Sequence, residues 1–231
     1  MIAQSKGKMF LTDERGLNQM DWYRSYNTFN FGSYQHAHKA PFSNLYVLND
    51  DTLAAGKSVS MTVEEDTDII LIPIVGAIKY KDSLGNKAVI EPGEVHVLDM
   101  PAGAGIELIN PYENELINFL QLWIKTPGKT IYTHPKVSKF SLTYSKNQLV
   151  EIFNQAGATG YMGQFDGRAE TIYQLGDIKN NVFAFVIDGA FEMQYRLLHA
   201  RDGLVLWDID EVEMEALSNE AIMMIIEIPP V

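Results

Sequence analysis

In this chain, any metal would have to be held by imidazoles and carboxylates. There are five histidines and no cysteine, which removes thiolate ligands, disulfides and a cysteine nucleophile from consideration. Only His36-Ala37-His38 has the His-x-His spacing that turns two rings to one face of a strand, as a metal pair requires. No carboxylate stands close to it in sequence, so the pair reads first as loop histidines, with a relocated metal site as the alternative. His96, between Val95 and Val97, has the setting of a ring that packs or hydrogen-bonds in a sheet wall, while His134 and His199 stand alone. The run Glu64-Glu65-Asp66-Thr67-Asp68 offers the hard oxygen donors that suit Ca²⁺ or Mg²⁺, but it lacks the glycine and ordered spacing of a calcium loop. It is expected to be a solvated turn. No Ser-His-Asp constellation, phosphate-cradling glycine loop or paired-carboxylate arrangement can be placed.

The elements available to position such groups are mainly strands. Glu211, Glu213 and Glu215 alternate with Val212, Met214 and Ala216, the period of two of a half-buried strand. The runs Ile69 to Val75, Phe183 to Ile187 and Ala221 to Ile228 are apolar enough for buried strands. Pro73 must then sit at an edge or a bulge, because it has no N–H to give to a ladder. Turn signals separate these runs: Ser83-Leu84-Gly85-Asn86, Pro92-Gly93, Asp188-Gly189 and Asp202-Gly203. One helix is predicted after Ser145, where Leu149, Ile152, Phe153 and Ala156 recur at helical spacing, Gln148 completes a capping box and Gly157 closes the end. A shorter helical turn is predicted near Leu17 to Tyr23.

At 231 residues and 46% hydrophobic, the chain can build one large core or two smaller ones. The formal net charge is −12, and the 18 lysines and arginines form no cluster able to neutralise a row of phosphates, which argues against nucleic acid as a partner. No apolar stretch approaches the roughly 18 residues of a membrane span or the shorter core of a secretion signal, so a cytoplasmic protein with no membrane partner is expected.

An internal repeat organises the whole. Val75-Gly76-Ala77-Ile78 followed by Pro92-Gly93-Glu94-Val95-His96-Val97-Leu98-Asp99 is echoed by Asp188-Gly189-Ala190-Phe191 followed by Asp202-Gly203-Leu204-Val205-Leu206-Trp207-Asp208. Two copies of one small antiparallel β unit follow from this, with the Pro127 to Pro135 stretch as the candidate linker. Several segments then carry a resemblance: Asn49-Asp50-Asp51, Gly56, Gly76, Asp82-Ser83-Leu84-Gly85-Asn86-Lys87, Ala102-Gly103-Ala104-Gly105-Ile106, Gln121-Leu122-Trp123-Ile124 and Pro229-Pro230-Val231 resemble the pirin family. The resemblance covers nearly the whole chain. It implies an all-β protein of two tandem cupin barrels of jelly-roll type, residues 1–130 and 136–231, with the short helix near their junction. It also implies a metal-binding N-terminal cupin and a C-terminal one that usually holds none, with quercetin dioxygenase activity in some members and partnership with transcription regulators in others.

In that family pattern a His-x-His motif follows the glycine matched by Gly56, and a His-x-Glu motif follows the Ala-Gly-x-Gly-Ile segment. Here the corresponding positions hold Thr62 and Glu64, then Leu108 and Asn110. Imidazole is the ligand that suits iron, nickel and copper, and only Glu64 among the four is a strong donor. The expectation is therefore a pirin-like bicupin with no metal or other cofactor at the usual position and no assigned catalytic residue, serving as a small-molecule-binding or regulatory protein with a small molecule or another protein as partner. The alternatives are a metal-dependent quercetin 2,3-dioxygenase-type oxidoreductase with substitute ligands, and a metal-free enzyme in which Glu64 faces the interior as a general base, its pKa raised by apolar neighbours such as Leu108.

Overall fold

The computed structural model describes residues 4–126, 128, 134–155 and 157–230. The chain divides into two compact units, Gly16–Lys139 and Met1–Arg15 with Phe140–Val231. Each is built from one large and one small antiparallel sheet.

In the Gly16–Lys139 unit, the large sheet runs in the order Lys136–Lys139, Glu94–Met100, Thr67–Val75, Ile117–Lys125, Leu45–Leu53, Tyr23–Asn27, Gly16–Gln19. The small sheet runs Ser58–Thr62, Gly105–Ile109, Ile78–Asp82, Lys87–Ile90. One core joins them: Val47, Ile69, Leu71, Leu98, Phe119 and Trp123 from the large sheet meet Ile78, Tyr80, Ile90, Ile106 and Leu108 from the small one. Thr67–Val75 is buried from Thr67 through Pro73, as a central strand with near-continuous apolar sequence should be. Pro73 lies where the Glu94–Met100 neighbour has already ended at Leu71, and beside a register shift in the Ile117–Lys125 partner, so its missing N–H costs the ladder nothing.

The other unit repeats the plan. Its large sheet is Gly7–Phe10, Gly203–Leu206, Asn181–Asp188, Ala221–Ile228, Ala158–Phe165, Val150–Gln155, and its small sheet is Glu170–Gln174, Glu211–Ala216, Ala190–Met193, Arg196–His199. The repeat seen in sequence has matching backbone in both copies: Gly76 and Gly189 open the equivalent hairpins at φ +72 and +77, a conformation that favours glycine.

Three expectations need correction. No sheet closes on itself: each order ends in strands with a single neighbour, such as Gly16–Gln19 and Lys136–Lys139, so the units are pairs of open sheets and not barrels. The helix after Ser145 is absent as well. Residues from Ser145 form turns, and Val150–Gln155 is a strand paired with Ala158–Phe165. Its register shifts between Glu151 and Phe153, and this bulge buries two consecutive residues, Ile152 and Phe153. That doublet breaks the period of two and imitates helical spacing. Ala156 lies outside the described residues, as does most of the Pro127 to Pro135 stretch. Leu17 to Tyr23 is likewise strand and turn, with Gly16–Gln19 paired to Tyr23–Asn27. Among the described residues the one helical element is a 3-10 turn at Thr12–Glu14, and no helix is long and apolar enough to cross a membrane.

Candidate functional site

The Gly16–Lys139 unit opens into a cavity of about 510 Å³. Aromatic rings form one wall. Trp123 meets Phe31 edge-to-face at 5.6 Å between ring centroids and Tyr46 at 5.9 Å, geometries that fix all three ring planes. Met61 adds a flexible thioether, and Asn30, Gln35, Thr62, Glu64 and Glu65 supply the polar rim. Tyr46 is anchored by a 2.7 Å hydrogen bond between its hydroxyl and Thr67 Oγ1. Burial, with the carboxylates of Glu65 and Glu64 beyond it, raises its pKa and keeps it a neutral phenol. Lys125 lies 5.3 Å from the Tyr46 ring centre while pairing with Glu65 at 2.7 Å. An apolar floor with a few convergent polar groups is the general form of a small-molecule site.

The residues singled out in sequence do not come together. Thr62 and Glu64 line the cavity rim and are exposed, because the intervening Val63 takes the buried position. Glu64 is thus an exposed residue on the rim of the cavity and not one enclosed in the core. Leu108 is fully buried in the core that joins the two sheets. Asn110 is buried and spent on a turn: its Nδ2 donates to the carbonyls of Leu53 at 3.0 Å and Glu115 at 2.7 Å, and its Oδ1 accepts from Tyr112 N at 2.9 Å. His36 and His38 are exposed, with ring centres 5.6 Å apart. His96 is buried beside Tyr80, whose hydroxyl is 3.4 Å from its Nδ1, and burial lowers its pKa. The acidic run forms an exposed turn at Glu64 and Glu65 and enters the Thr67–Val75 strand at its end.

Sequence reasoning used Asn49-Asp50-Asp51 only as a signature, yet this segment carries a polar network behind the aromatic wall. Asn27 donates from Nδ2 to Ser25 Oγ and to Asn49 Oδ1, both at 2.8 Å. Asp50 accepts from Asn118 at 2.7 Å. Asp51, fully buried, accepts from Gln121 Nε2, and Gln121 Oε1 accepts from Trp123 Nε1 at 2.8 Å. Burial lifts the Asp51 pKa to about 7 against the partial relief given by Ser25, Gln121 and Tyr23, and the neighbouring Asp50 charge adds to the rise. Burial and the Asp51 charge together push the Tyr23 phenol far above its usual range. The signal in sequence was the alternation itself: Asn49, Asp51 and Gln121 occupy inward positions where strands of this kind carry apolar side chains.

The Asp82-Ser83-Leu84-Gly85-Asn86 signature is structural. Asp82 Oδ1 accepts from the backbone N–H of Leu84 at 3.0 Å and of Asn86 at 2.8 Å, Oδ2 accepts from Asn86 Nδ2, and Gly85 takes φ +95. This self-capped hairpin turn explains the spacing of the motif. In the other unit a shallow groove of about 280 Å³ is lined by Glu170, Glu192, Glu213 and Glu215. Three of these stand side by side across neighbouring strands, with Arg168 paired to Glu215 at 2.8 Å, and they form a solvated surface.

Comparison with known families decides the relationship: the Pirin profile matches residues 11–124, and the profile of the quercetinase C-terminal cupin domain matches residues 145–228. The chain belongs to the pirin family. This pirin is 24% identical over 226 residues to a quercetin 2,3-dioxygenase of Escherichia coli strain K12, covering 95% of its own length and 97% of that relative's. Its fold matches the crystal structure of YhhW from Escherichia coli with a TM-score of 0.86 at 21% identity, over 98% of this chain and 99% of that one. It also matches bacterial pirin YhhW in complex with nickel(II), with a TM-score of 0.84 at 22% identity, over 98% and 100%.

The donor set of this pirin does not fit such a metal. The two rim positions offer one hydroxyl and one carboxylate, and the other two hold a core leucine and an amide already satisfied on both ends. Among the described residues no group of three or more His, Cys, Asp or Glu side chains is placed to hold a metal ion. It is a bicupin that has diverged at the metal site.

Proposed function

We propose that this pirin binds a planar aromatic small molecule of the flavonol kind in the cavity of its Gly16–Lys139 unit, and that it does so without the four-ligand metal centre. The observation that carries the reading is the wall of Phe31, Tyr46 and Trp123, three rings held in fixed mutual geometry beside a polar rim. A flat, hydroxylated ligand stacks on such a wall and leaves its hydroxyl groups to Asn30, Gln35, Thr62 and the two glutamates. The cavity volume of about 510 Å³ lies within the range of sites for ligands of this size.

A second reading, a quercetin 2,3-dioxygenase-type oxidoreductase with substitute ligands, is supported by the name of the relative that matches 95% of the chain. Turnover separates the two. The protein is incubated aerobically with quercetin, alone and with Fe²⁺, Ni²⁺, Cu²⁺ or Mn²⁺, and oxygen uptake and flavonol loss are followed against heat-denatured protein. Binding without turnover is expected in every arm. Metal-stimulated turnover well above the denatured control would replace the first reading with the second.

A further inference from the structure

We propose that Asp51 is a positioning residue for this cavity: its carboxyl sets the amide of Gln121, and Gln121 in turn sets the Trp123 indole that walls the ligand site. The inference rests on the cavity being the ligand site, but the relay itself is a property of the ligand-free protein.

The hydrogen-bond chemistry allows one arrangement of the relay when Asp51 is ionised. An indole N–H can only donate, and a carboxylate can only accept. Gln121 lies between them, so its oxygen must face Trp123 and its nitrogen must face Asp51, as observed. The same nitrogen also lies 3.7 Å from the sulfur of Met61, another cavity residue. A protonated Asp51 presents a hydroxyl as well, and Gln121 then loses both a charge-assisted bond and the constraint on its orientation. An amide turned over would place its NH₂ against the indole N–H, two donors face to face, and the indole would lose its anchor.

The surroundings place this choice in a useful pH range. Asp51 is fully buried, with Tyr23, Ser25 and Gln121 around its carboxyl, and burial brings its titration close to neutrality. The groups that bear on it are Tyr23 and Ser25 from the Tyr23–Asn27 strand, Gln121 from Ile117–Lys125, and Asp50 from its own strand. The rim adds Glu64 and Glu65, which face the cavity and not Asp51. Ionised Asp51 thus corresponds to a preorganised aromatic wall, and neutral Asp51 to a loosened one.

The test reads Trp123 by fluorescence in a Trp22→Phe, Trp207→Phe background, which leaves it as the single indole. Between pH 5.5 and 8.5 the ligand-free protein is expected to show an emission transition centred near 7, absent in Asp51→Asn. Gln121→Met, which keeps Asp51 and cuts the relay, is expected to abolish the transition as well, and it decides the matter if Asp51→Asn fails to fold. A transition that persists in either variant assigns the effect to groups outside the relay and overturns the proposal, as does an emission that does not titrate in the parent. Quercetin affinity, measured separately, is expected to be about fivefold tighter at pH 8 than at pH 6, and to lose that dependence in Asp51→Asn. If the emission titrates through Asp51 but quercetin does not bind at either pH, the relay stands and the ligand assignment falls.

Discussion

Burial raises the Asp51 carboxyl from an ordinary 3.8 to about 7, so the folded state binds a proton that the unfolded chain has already released over the interval between those values. The associated stability is fully present below about 3.8, falls as the pH rises, and is lost once the pH passes about 7. Asp51→Asn stays neutral throughout. Urea unfolding at pH 4.5 and pH 8 is therefore expected to show the variant gaining on the parent by a few kcal/mol as the pH rises. A gap between the two proteins that stays constant over that range would show that Asp51 is not held neutral by burial. Leu108 and Asn110 illustrate the same scale differently: one side chain fills the core and the other closes a turn, so each position has been given a structural role in place of a ligand's.

The strands were legible because their patterns are simple. Glu211–Ala216 alternates as expected, Thr67–Val75 and Ala221–Ile228 are apolar enough to be central, and Pro73 sits at its bulge. The helix after Ser145 was not legible, since a β-bulge at Ile152 and Phe153 produces a buried doublet that periodicity alone assigns to a helix. Loops that depend on one distant acceptor were equally hidden. Glu227, at the end of the Ala221–Ile228 strand, accepts from the Tyr173 hydroxyl, Gly176 N at 2.9 Å, Asp177 N at 3.0 Å and Asn180 Nδ2 at 2.7 Å, and so organises the 176–180 loop. Burial pushes its pKa up, but these bonds outweigh it and hold the pKa below the ordinary 4.5. Its stabilisation is present above about 4.5 and is lost as the pH falls through the lowered folded value. Glu227→Gln is expected to cost about 2 kcal/mol at pH 7 and to flatten the acid limb of the stability curve below pH 4.5. Thermal melts at pH 7 and pH 3.5 check this, and equal losses at both would place the effect in packing and not in charge.

For the molecule as a whole, duplication and family were readable from Gly76 and Gly189 and from two turn and network motifs, while the location of the candidate site was not. Gap-free spacing assigns the family's metal positions to Thr62, Glu64, Leu108 and Asn110, of which Leu108 and Asn110 are interior, and the cavity owes its wall to Phe31, Tyr46 and Trp123, residues that no spacing joins. Their meeting depends on two strands and a loop that only the folded unit brings together. This wall is proposed to bind a flavonol-like ligand with no transition metal. Isothermal titration of quercetin into the protein at pH 8, in buffer treated to remove metals and containing a chelator, tests it directly. One saturable site on the Gly16–Lys139 unit, unchanged by the chelator and weakened at least about tenfold by Trp123→Ala, is the predicted result. No saturable binding, or binding that the chelator abolishes and added Ni²⁺ or Fe²⁺ restores, would contradict it.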